Sequence, residues 1–405
     1  MHRLIIFVGA AVYALSVPSL ASANDAYGCY YDFLKTDYKA AFPKCKVSAI
    51  QVDAKSQAAL GVMYSKGQGV GQSYSEAMKW YRKAADQGFT IAQFNLGTMY
   101  MKGQGAAQSY SEAMKWYRKA ADQEHANAQF NLGTMYMKGQ GAAQSHSEAI
   151  KWYRKAADKE HAEAQFNLGN LYARGQGVGQ SYSEAIKRYR KAANQGHVEA
   201  QFNLGNLYLR GQGVGQSYSE AIKRYRKAAD QGHAEAQFNL GNLYLRGQGV
   251  AQLYSEAIKW IRKAADQGHP KAQFDLGAMY AQGQGVLENY IQAYHWTSLA
   301  AASGNLEAAK NLEIIKDWLT PAQISEVQRL ALGGRMVAQE TGWSAISRAD
   351  VKRVQKVLND LGFNIGSADG VPGKRTNSAL EGFQRIKGLP IGPPDAATFS
   401  ALGVK

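Results

Sequence analysis

The sequence predicts an all-α fold, in which a long helical-repeat solenoid is followed by a small three-helix domain. Three observations support this fold class. The chain repeats itself every 36 residues, in seven copies, from about residue 53 to residue 304. Apolar residues within each copy recur at helical spacing. A separate amphipathic stretch with a different pattern follows residue 350.

The first 23 residues have the pattern of a secretory signal peptide. Arg3 precedes an apolar stretch from Leu4 to Leu15, and Ala21-Ser22-Ala23 supplies the small residues of a cleavage site. The apolar stretch is too short to span a bilayer, which takes about 20 apolar residues. We therefore expect an exported, periplasmic protein without a membrane span.

Residues 24–52 are expected to cap the N-terminal end of the repeats. Tyr38 and Ala41 keep register with the repeat, although Pro43 should interrupt their helix. Cys29 and Cys45 are the only cysteines. Export places both in an oxidising compartment, so we expect a disulfide between them. A catalytic thiol is the weaker alternative, since no histidine lies near either cysteine in sequence.

Each of the seven copies in residues 53–304 is interpreted as two helices separated by a Gly-Gln-Gly turn. In the second copy, Ala92, Leu96 and Tyr100 form one apolar stripe. Ser109 and Glu112 have the spacing of a capping box at the start of the second helix. That helix should bury Ala113, Trp116, Tyr117 and Ala120. Its opposite, solvated face should carry Lys115, Arg118, Lys119 and Asp122.

The remaining elements follow from similar patterns. Residues 305–332 are expected to form C-terminal capping helices, the last of which begins at Thr320-Pro321. Residues 333–349 are interpreted as a linker, and residues 350–405 as a separate domain. In that domain the apolar residues fall at helical spacing, first in Val351, Val354, Leu358 and Leu361, and then in Ala379, Leu380 and Phe383.

Two family resemblances rest on these residues. The Leu-Gly-x-x-Tyr run, the Gly-x-Gly turn and the run Trp-Tyr-Arg-Lys-Ala-Ala resemble the Sel1-like repeat, a relative of the tetratricopeptide repeat. That resemblance implies a right-handed superhelix that holds other proteins and has no activity of its own. Arg188 and Arg224 depart from the pattern, because the other copies have tryptophan there.

The domain at residues 350–405 resembles a small peptidoglycan-binding domain of cell-wall hydrolases and envelope proteins. The matching residues include Leu361-Gly362-Phe363, Asp369-Gly370 and Phe383-Gln384. The resemblance implies peptidoglycan as the ligand, with Asp369, Thr376 and Gln384 as candidate contacts. Turn formation and helix capping are the alternative roles for these three residues.

A stripe of amide and guanidinium side chains on the first helix of three copies is the candidate site for a protein partner. Residues at positions i, i+3 and i+7 share one helix face, expected to be the inner face of the superhelix. Amides there could bind a partner's backbone, and guanidinium groups its carboxylates. The alternative is that asparagine belongs to the repeat framework. The residues are Asn167, Asn170, Arg174, Asn203, Asn206, Arg210, Asn239, Asn242 and Arg246.

The sequence offers no pattern for catalysis, a cofactor or a metal ion. Five histidines recur one repeat apart, but stacked repeats should separate them by about a helix diameter, too far to share one ion. We expect exposed histidines in the first helical turn instead. They are His125, His161, His197, His233 and His269. No Ser/His/Asp or Cys/His arrangement is present, so the protein is expected not to be an enzyme.

The net charge of +15 favours acidic partners, although a solvated basic surface is an equally simple explanation. Export argues against nucleic acid. We expect a non-enzymatic, wall-associated adaptor that binds peptidoglycan and an unidentified envelope protein. The alternatives are a soluble periplasmic regulator of a sensor protein and an accessory factor of a cell-wall hydrolase.

Overall fold

The structure is a computed structural model that describes residues 20–321, 323–324, 327, 348–363, 365–369, 371, 374–387 and 396–402. Most of the predicted signal peptide and most of the predicted linker lie outside these residues. The chain divides into two compact units, with the division after Ala272.

The described residues form twenty helices, which confirms the predicted all-α fold class. The helices that begin before residue 272 are α1 Leu20–Leu34, α2 Tyr38–Ile50, α3 Ala54–Lys66, α4 Tyr74–Asp86, α5 Thr90–Lys102, α6 Tyr110–Asp122, α7 Ala126–Lys138, α8 His146–Asp158, α9 Ala162–Arg174, α10 Tyr182–Asn194, α11 Val198–Arg210, α12 Tyr218–Asp230, α13 Ala234–Arg246, α14 Tyr254–Asp266 and α15 Pro270–Gln282. The remaining helices are α16 Tyr290–Ala302, α17 Leu306–Lys316, α18 Arg348–Asp360, α19 Lys374–Ile386 and α20 Ala396–Leu402.

Each repeat consists of a first helix (the odd-numbered helices from α3 to α15) and a second helix (the even-numbered helices from α4 to α16). The predicted buried face of α6 is confirmed, because Ala113, Trp116, Tyr117 and Ala120 are each at most 2% exposed. Trp116 packs in one core cluster with Leu96 of the neighbouring first helix. The apolar stripes of successive helices therefore pack into core clusters, each of which spans neighbouring repeats.

The second helices from α4 to α12 begin with half of the predicted capping box. The Ser109 hydroxyl accepts a hydrogen bond from the backbone N–H of Glu112 at 3.3 Å. The N–H of Ser109, however, donates to the carbonyl oxygen of Tyr100 at 3.0 Å. Because the preceding helix already satisfies this N–H group, the Glu112 carboxylate does not need to reach back to it.

The turn between the two helices holds neighbouring repeats close together. Gly105 adopts φ +79°, and a Cβ atom there would lie 2.5 Å from the carbonyl oxygen of Tyr74, in the preceding repeat. Only glycine can combine this backbone conformation with so close an approach. The second glycine of the Gly-Gln-Gly turn is therefore required by contact between repeats.

A column of buried glutamines, which the sequence patterns did not reveal, links first helices to the second helices before and after them, except at Gln129, which is bonded only to the preceding second helix. Gln93 donates from Nε2 to the carbonyl oxygen of Ala85 at 3.1 Å, and its Oε1 accepts from Nε2 of Gln123 at 2.7 Å. The column consists of Gln57, Gln93, Gln129, Gln165, Gln201 and Gln237. The same glutamine in every copy was its only sequence signal.

The disulfide is confirmed. Cys29 of α1 and Cys45 of α2 are bonded to each other, and both are fully buried. The expected interruption at Pro43 is wrong, because α2 runs unbroken from Tyr38 to Ile50. A proline removes only one backbone donor, and the cross-link together with burial of Ala41 holds this helix against α1.

In the second unit, α17 continues the repeat register beyond the last copy. Its Ala308 is buried, as the register predicts. Thr320 and Gln323 form reciprocal capping hydrogen bonds, in which the Gln323 N–H donates to the Thr320 hydroxyl and Oε1 of Gln323 accepts from the Thr320 N–H. They lie at the predicted start of the closing helix, most of which falls outside the described residues.

Candidate functional site

The Asn/Arg stripe, meaning the nine residues predicted to bind a partner, divides into two kinds of side chain. Its asparagines are half-buried, whereas Arg174, Arg210 and Arg246 are exposed at the ends of their first helices. The structure therefore places the guanidinium groups where a ligand can reach them.

Tyrosine hydroxyls from the second helices tie the asparagines into a network. The Tyr189 hydroxyl donates to Oδ1 of Asn170 at 2.6 Å and also hydrogen-bonds Asn203 of the next repeat. Tyr225 makes the same pair of bonds with Asn206 and Asn239. The amides thus have a framework role, which is the alternative predicted from the sequence.

Two members of the stripe occupy the ends of this network. Asn167 hydrogen-bonds Tyr153. At Asn242 the network ends, because isoleucine stands at residue 261 where the preceding repeats have tyrosine. Burial raises the pKa of Tyr189 to about 12, so its hydroxyl stays protonated and remains a hydrogen-bond donor near neutral pH.

The same face contains a depression of about 390 Å³ near the N-terminal end of the repeats. Asn95, Thr98 and Lys102 line it, and they are the repeat equivalents of Asn167, Asn170 and Arg174. Lys66 of the preceding repeat lies beside them. A cationic residue and hydrogen-bonding side chains thus accompany a concave surface at these positions.

The expectation of exposed histidines is wrong. His125 is half-buried and acts as the N-cap of α7, since its Nδ1 accepts the backbone N–H of Ala128 at 3.2 Å. Its ring stacks on Phe94 with centroids 4.7 Å apart. The other four histidines cap their helices in the same way. Among the described residues no group of histidine, cysteine or carboxylate side chains could hold a metal ion.

Arg118 is also placed differently from the prediction. It is half-buried rather than fully solvated, and its Nη2 donates to the hydroxyl of Tyr136 at 2.5 Å. Its guanidinium carbon lies 5.6 Å from the ring centroid of Trp152. The prediction failed because it treated one helix in isolation, whereas the long arginine side chain reaches the next repeat.

The C-terminal domain encloses its own core, formed mainly by α18 and α19, with Leu402 from α20. Gln355 is buried at the centre of a polar cluster. Its Nε2 lies 3.1 Å from Oδ1 of Asp369, 3.0 Å from the carbonyl oxygen of Val371 and 3.2 Å from the hydroxyl oxygen of Thr376. This amide fixes the loop between α18 and α19.

The three candidate peptidoglycan contacts have different surroundings. Gln384 is fully buried and donates to the Thr398 hydroxyl at 3.1 Å, and Thr376 is 3% exposed. Burial assigns both to the domain core rather than to a ligand-facing surface. Asp369 is exposed, and the N–H of Val371, followed by Gln355, lowers the pKa of its carboxyl. Of the three, Asp369 alone presents a charge to solvent.

Comparison with known proteins agrees with this helical-repeat architecture. The Sel1 repeat model matches seven consecutive segments, 54–89, 90–125, 126–161, 162–197, 198–233, 234–269 and 270–305. These segments make up more than half of the chain, so the chain belongs to the Sel1 repeat family. A peptidoglycan-binding domain model matches residues 347–402.

Two solved structures are similar at the level of sequence as well as fold. One is c5321, a protective antigen present in uropathogenic Escherichia coli strains that displays an SLR fold. It is 30% identical over 77% of this chain and 75% of its own, with a TM-score of 0.51. A Sel1 repeat protein from Oxalobacter formigenes is 35% identical over 60% of this chain and 96% of its own, also with a TM-score of 0.51.

No curated protein matches the chain. Sel1 repeats indicate protein–protein interaction, and the C-terminal domain indicates peptidoglycan binding. The disulfide and the C-terminal domain are both consistent with the cell envelope. Within the described residues, no helix combines the length and apolarity needed to cross a bilayer.

Proposed function

We propose that this protein is a non-enzymatic adaptor of the bacterial envelope, which binds peptidoglycan through residues 350–405 and a protein partner through the Asn/Arg stripe. The observation that carries the proposal is the presence of a peptidoglycan-binding domain and an array of Sel1 repeats in one chain. Peptidoglycan lies outside the cytoplasm, where the predicted signal peptide would deliver the chain.

The geometry of the stripe supports a protein as the second ligand. The tyrosine network holds the amides in place, so little side-chain freedom is lost when a partner binds. The exposed guanidinium groups add charge-assisted hydrogen bonds, which are stronger and more directional than those between neutral groups. The N-terminal depression shows that this face can be concave.

Cosedimentation with isolated sacculi tests the peptidoglycan half of the proposal. The exported chain should pellet with sacculi and release no soluble muropeptides, whereas a chain that ends at residue 332 should pellet much less. Replacing Asp369 by alanine should weaken pelleting, while Asp360→Ala, at the end of α18, serves as a control of equal charge change. Pelleting that is unaffected by removal of the domain would contradict the proposal. Released muropeptides would show that the protein is an enzyme.

A further inference from the structure

Neighbouring repeats are joined by a recurring contact between arginine, tyrosine and tryptophan. In the first such contact Arg82 hydrogen-bonds the hydroxyl of Tyr100, and its guanidinium carbon lies 5.4 Å from the ring centroid of Trp116. These residues belong to the second helix of one repeat and to the first and second helices of the next. Stacking of the guanidinium on tryptophan stabilises the junction.

At the third and fourth junctions along the array, the tryptophan is replaced, whereas the arginine and the tyrosine are kept. Arg188 and Arg224 occupy the tryptophan position. Arg154 still donates to the Tyr172 hydroxyl, at 2.7 Å, and Arg190 donates to the Tyr208 hydroxyl, at 3.0 Å. Because the repeats are equivalent, each of these two junctions brings two guanidinium groups together. The junctions that keep tryptophan have one guanidinium group and one indole ring at the same place.

Nearby carboxylates offset only part of this charge. Arg224 pairs with Glu220, with 3.3 Å between Nη2 and Oε2. At the other junction, the hydrogen bond from Lys187 lowers the pKa of Glu184, and the charges of Arg188 and Arg154 lower it further. One carboxylate at each junction thus stands among several cations.

The new arginines also retain buried donors. Within the described residues, Nε of Arg188 and Nε of Arg224 are both buried without a hydrogen-bond partner, and so is Nε1 of Trp116 and of Trp152 at the equivalent position. The side chain of Arg224 is only 13% exposed. The arginine donors belong to charged groups, and a charged donor left without a partner in the interior destabilises a fold more than a neutral indole N–H does. Packing does not require these arginines, because tryptophan fills the same position at 2% and 4% exposure in Trp116 and Trp152.

We infer that Arg188 and Arg224, together with Arg154 and Arg190, form two adjacent subsites for the carboxylates of an acidic polypeptide. Each subsite combines a half-buried guanidinium with an exposed guanidinium that a tyrosine hydroxyl holds in place. Two such subsites, one repeat apart, would bind side-chain carboxylates from successive parts of one extended acidic segment. This inference rests on the proposed adaptor function, and it adds a chemical class for the partner and a second contact surface.

Binding of a fluorescent polyglutamate peptide to the full exported chain, measured by anisotropy, tests the inference. The variant Arg188→Trp/Arg224→Trp restores the tryptophan found in other repeats, so it should fold at least as stably as the wild type. Loss of charge-assisted hydrogen bonds should weaken peptide binding roughly tenfold or more. Arg188→Gln/Arg224→Gln removes the charges without adding bulk, and should weaken binding in the same way.

The matched control is Lys187→Ala/Lys223→Ala, which removes the same amount of charge from exposed neighbours on the same helices. This control should change binding less than threefold. If the lysine control weakens binding as much as the tryptophan variant does, general attraction to a basic surface accounts for binding and the inference is overturned. So would unchanged binding by the tryptophan variant.

Capture of envelope proteins separates this inference from the proposed function. If the wild-type chain captures a protein and the tryptophan variant captures it equally well, the adaptor function stands and the two subsites are refuted. If the wild-type chain captures no envelope protein but binds polyglutamate through these arginines, the adaptor function fails and the subsites stand.

Discussion

Replacing Lys159 by glutamine should stabilise the protein by completing the buried glutamine column. In five other repeats, a glutamine at the end of the second helix donates to a column glutamine, for example Gln195 to Gln165 at 2.9 Å. Lysine stands at position 159, and Oε1 of Gln129 is buried without a partner within the described residues. The Lys159 side chain instead forms an exposed ion pair with Glu124 at 2.8 Å.

The magnitude follows from the two groups that change. An intramolecular hydrogen bond contributes about 1 kcal/mol, and a buried acceptor without a partner costs roughly 1–3 kcal/mol. The ion pair that would be lost is exposed and screened by solvent, so its loss offsets little of the gain. We therefore expect the free energy of unfolding to rise by about 1 kcal/mol. In a protein of this size that gain should raise the thermal midpoint by roughly 2 °C.

Urea and thermal denaturation of the two chains, followed by circular dichroism, measure this effect. Lys151→Gln is the control, because it removes an exposed lysine from the same helix at a position that does not face the column. A rise in stability for Lys159→Gln but not for the control is expected. An equal midpoint in both variants, or a lower one for Lys159→Gln, would refute the assignment of Gln129 as an unsatisfied acceptor.

The histidine caps should make stability depend on pH, because protonation of Nδ1 removes the acceptor and burial lowers the pKa of His125, His161 and His233. A lowered folded-state pKa means that this stability is present above the ordinary pKa of about 6.5 and is lost as pH falls below it. The thermal midpoint should fall between pH 7 and pH 5, and less so after replacement of these three by asparagine. Reduction of the disulfide should lower stability by about 3 kcal/mol, which denaturation with and without reductant would measure against a double alanine variant. Changing Arg174, Arg210 and Arg246 together to alanine should weaken partner capture in pull-downs, and capture equal to wild type would place the partner on another face.

Periodicity predicted the helices and the core well, because both depend on local patterns that recur in every copy. Ala113 and Trp116 are buried where the stripe placed them. Arg118 was misplaced for a physical reason, since its helical position points outward while its length brings it to Tyr136 of the next repeat. Contacts of this kind depend on how repeats stack, and the pattern within one helix contains no information about stacking.

The histidines show a second limit. Their position just before each first helix is one where serine, threonine, asparagine and aspartate are the usual caps. His125 fills it with a ring nitrogen, and the stacked Phe94 explains why an aromatic cap is stable there. Two signals were available, a histidine at the N-cap position and a phenylalanine one repeat earlier. Neither signal alone predicts the contact, because only the packing of neighbouring repeats brings the histidine and the phenylalanine together.

In a chain of near-identical repeats, a residue present in every copy has the same neighbours each time and so performs the same structural task. The buried glutamines and the capping serines are of this kind, and the burial of Gln384 and Thr376 shows that family-typical residues of the C-terminal domain can be too. A ligand, by contrast, contacts particular copies. Residues that differ between copies without a packing reason are therefore the stronger candidates for recognition. Arg188 meets this criterion better than any asparagine of the stripe, because tryptophan fills its position elsewhere whereas tyrosine hydroxyls explain most of the asparagines.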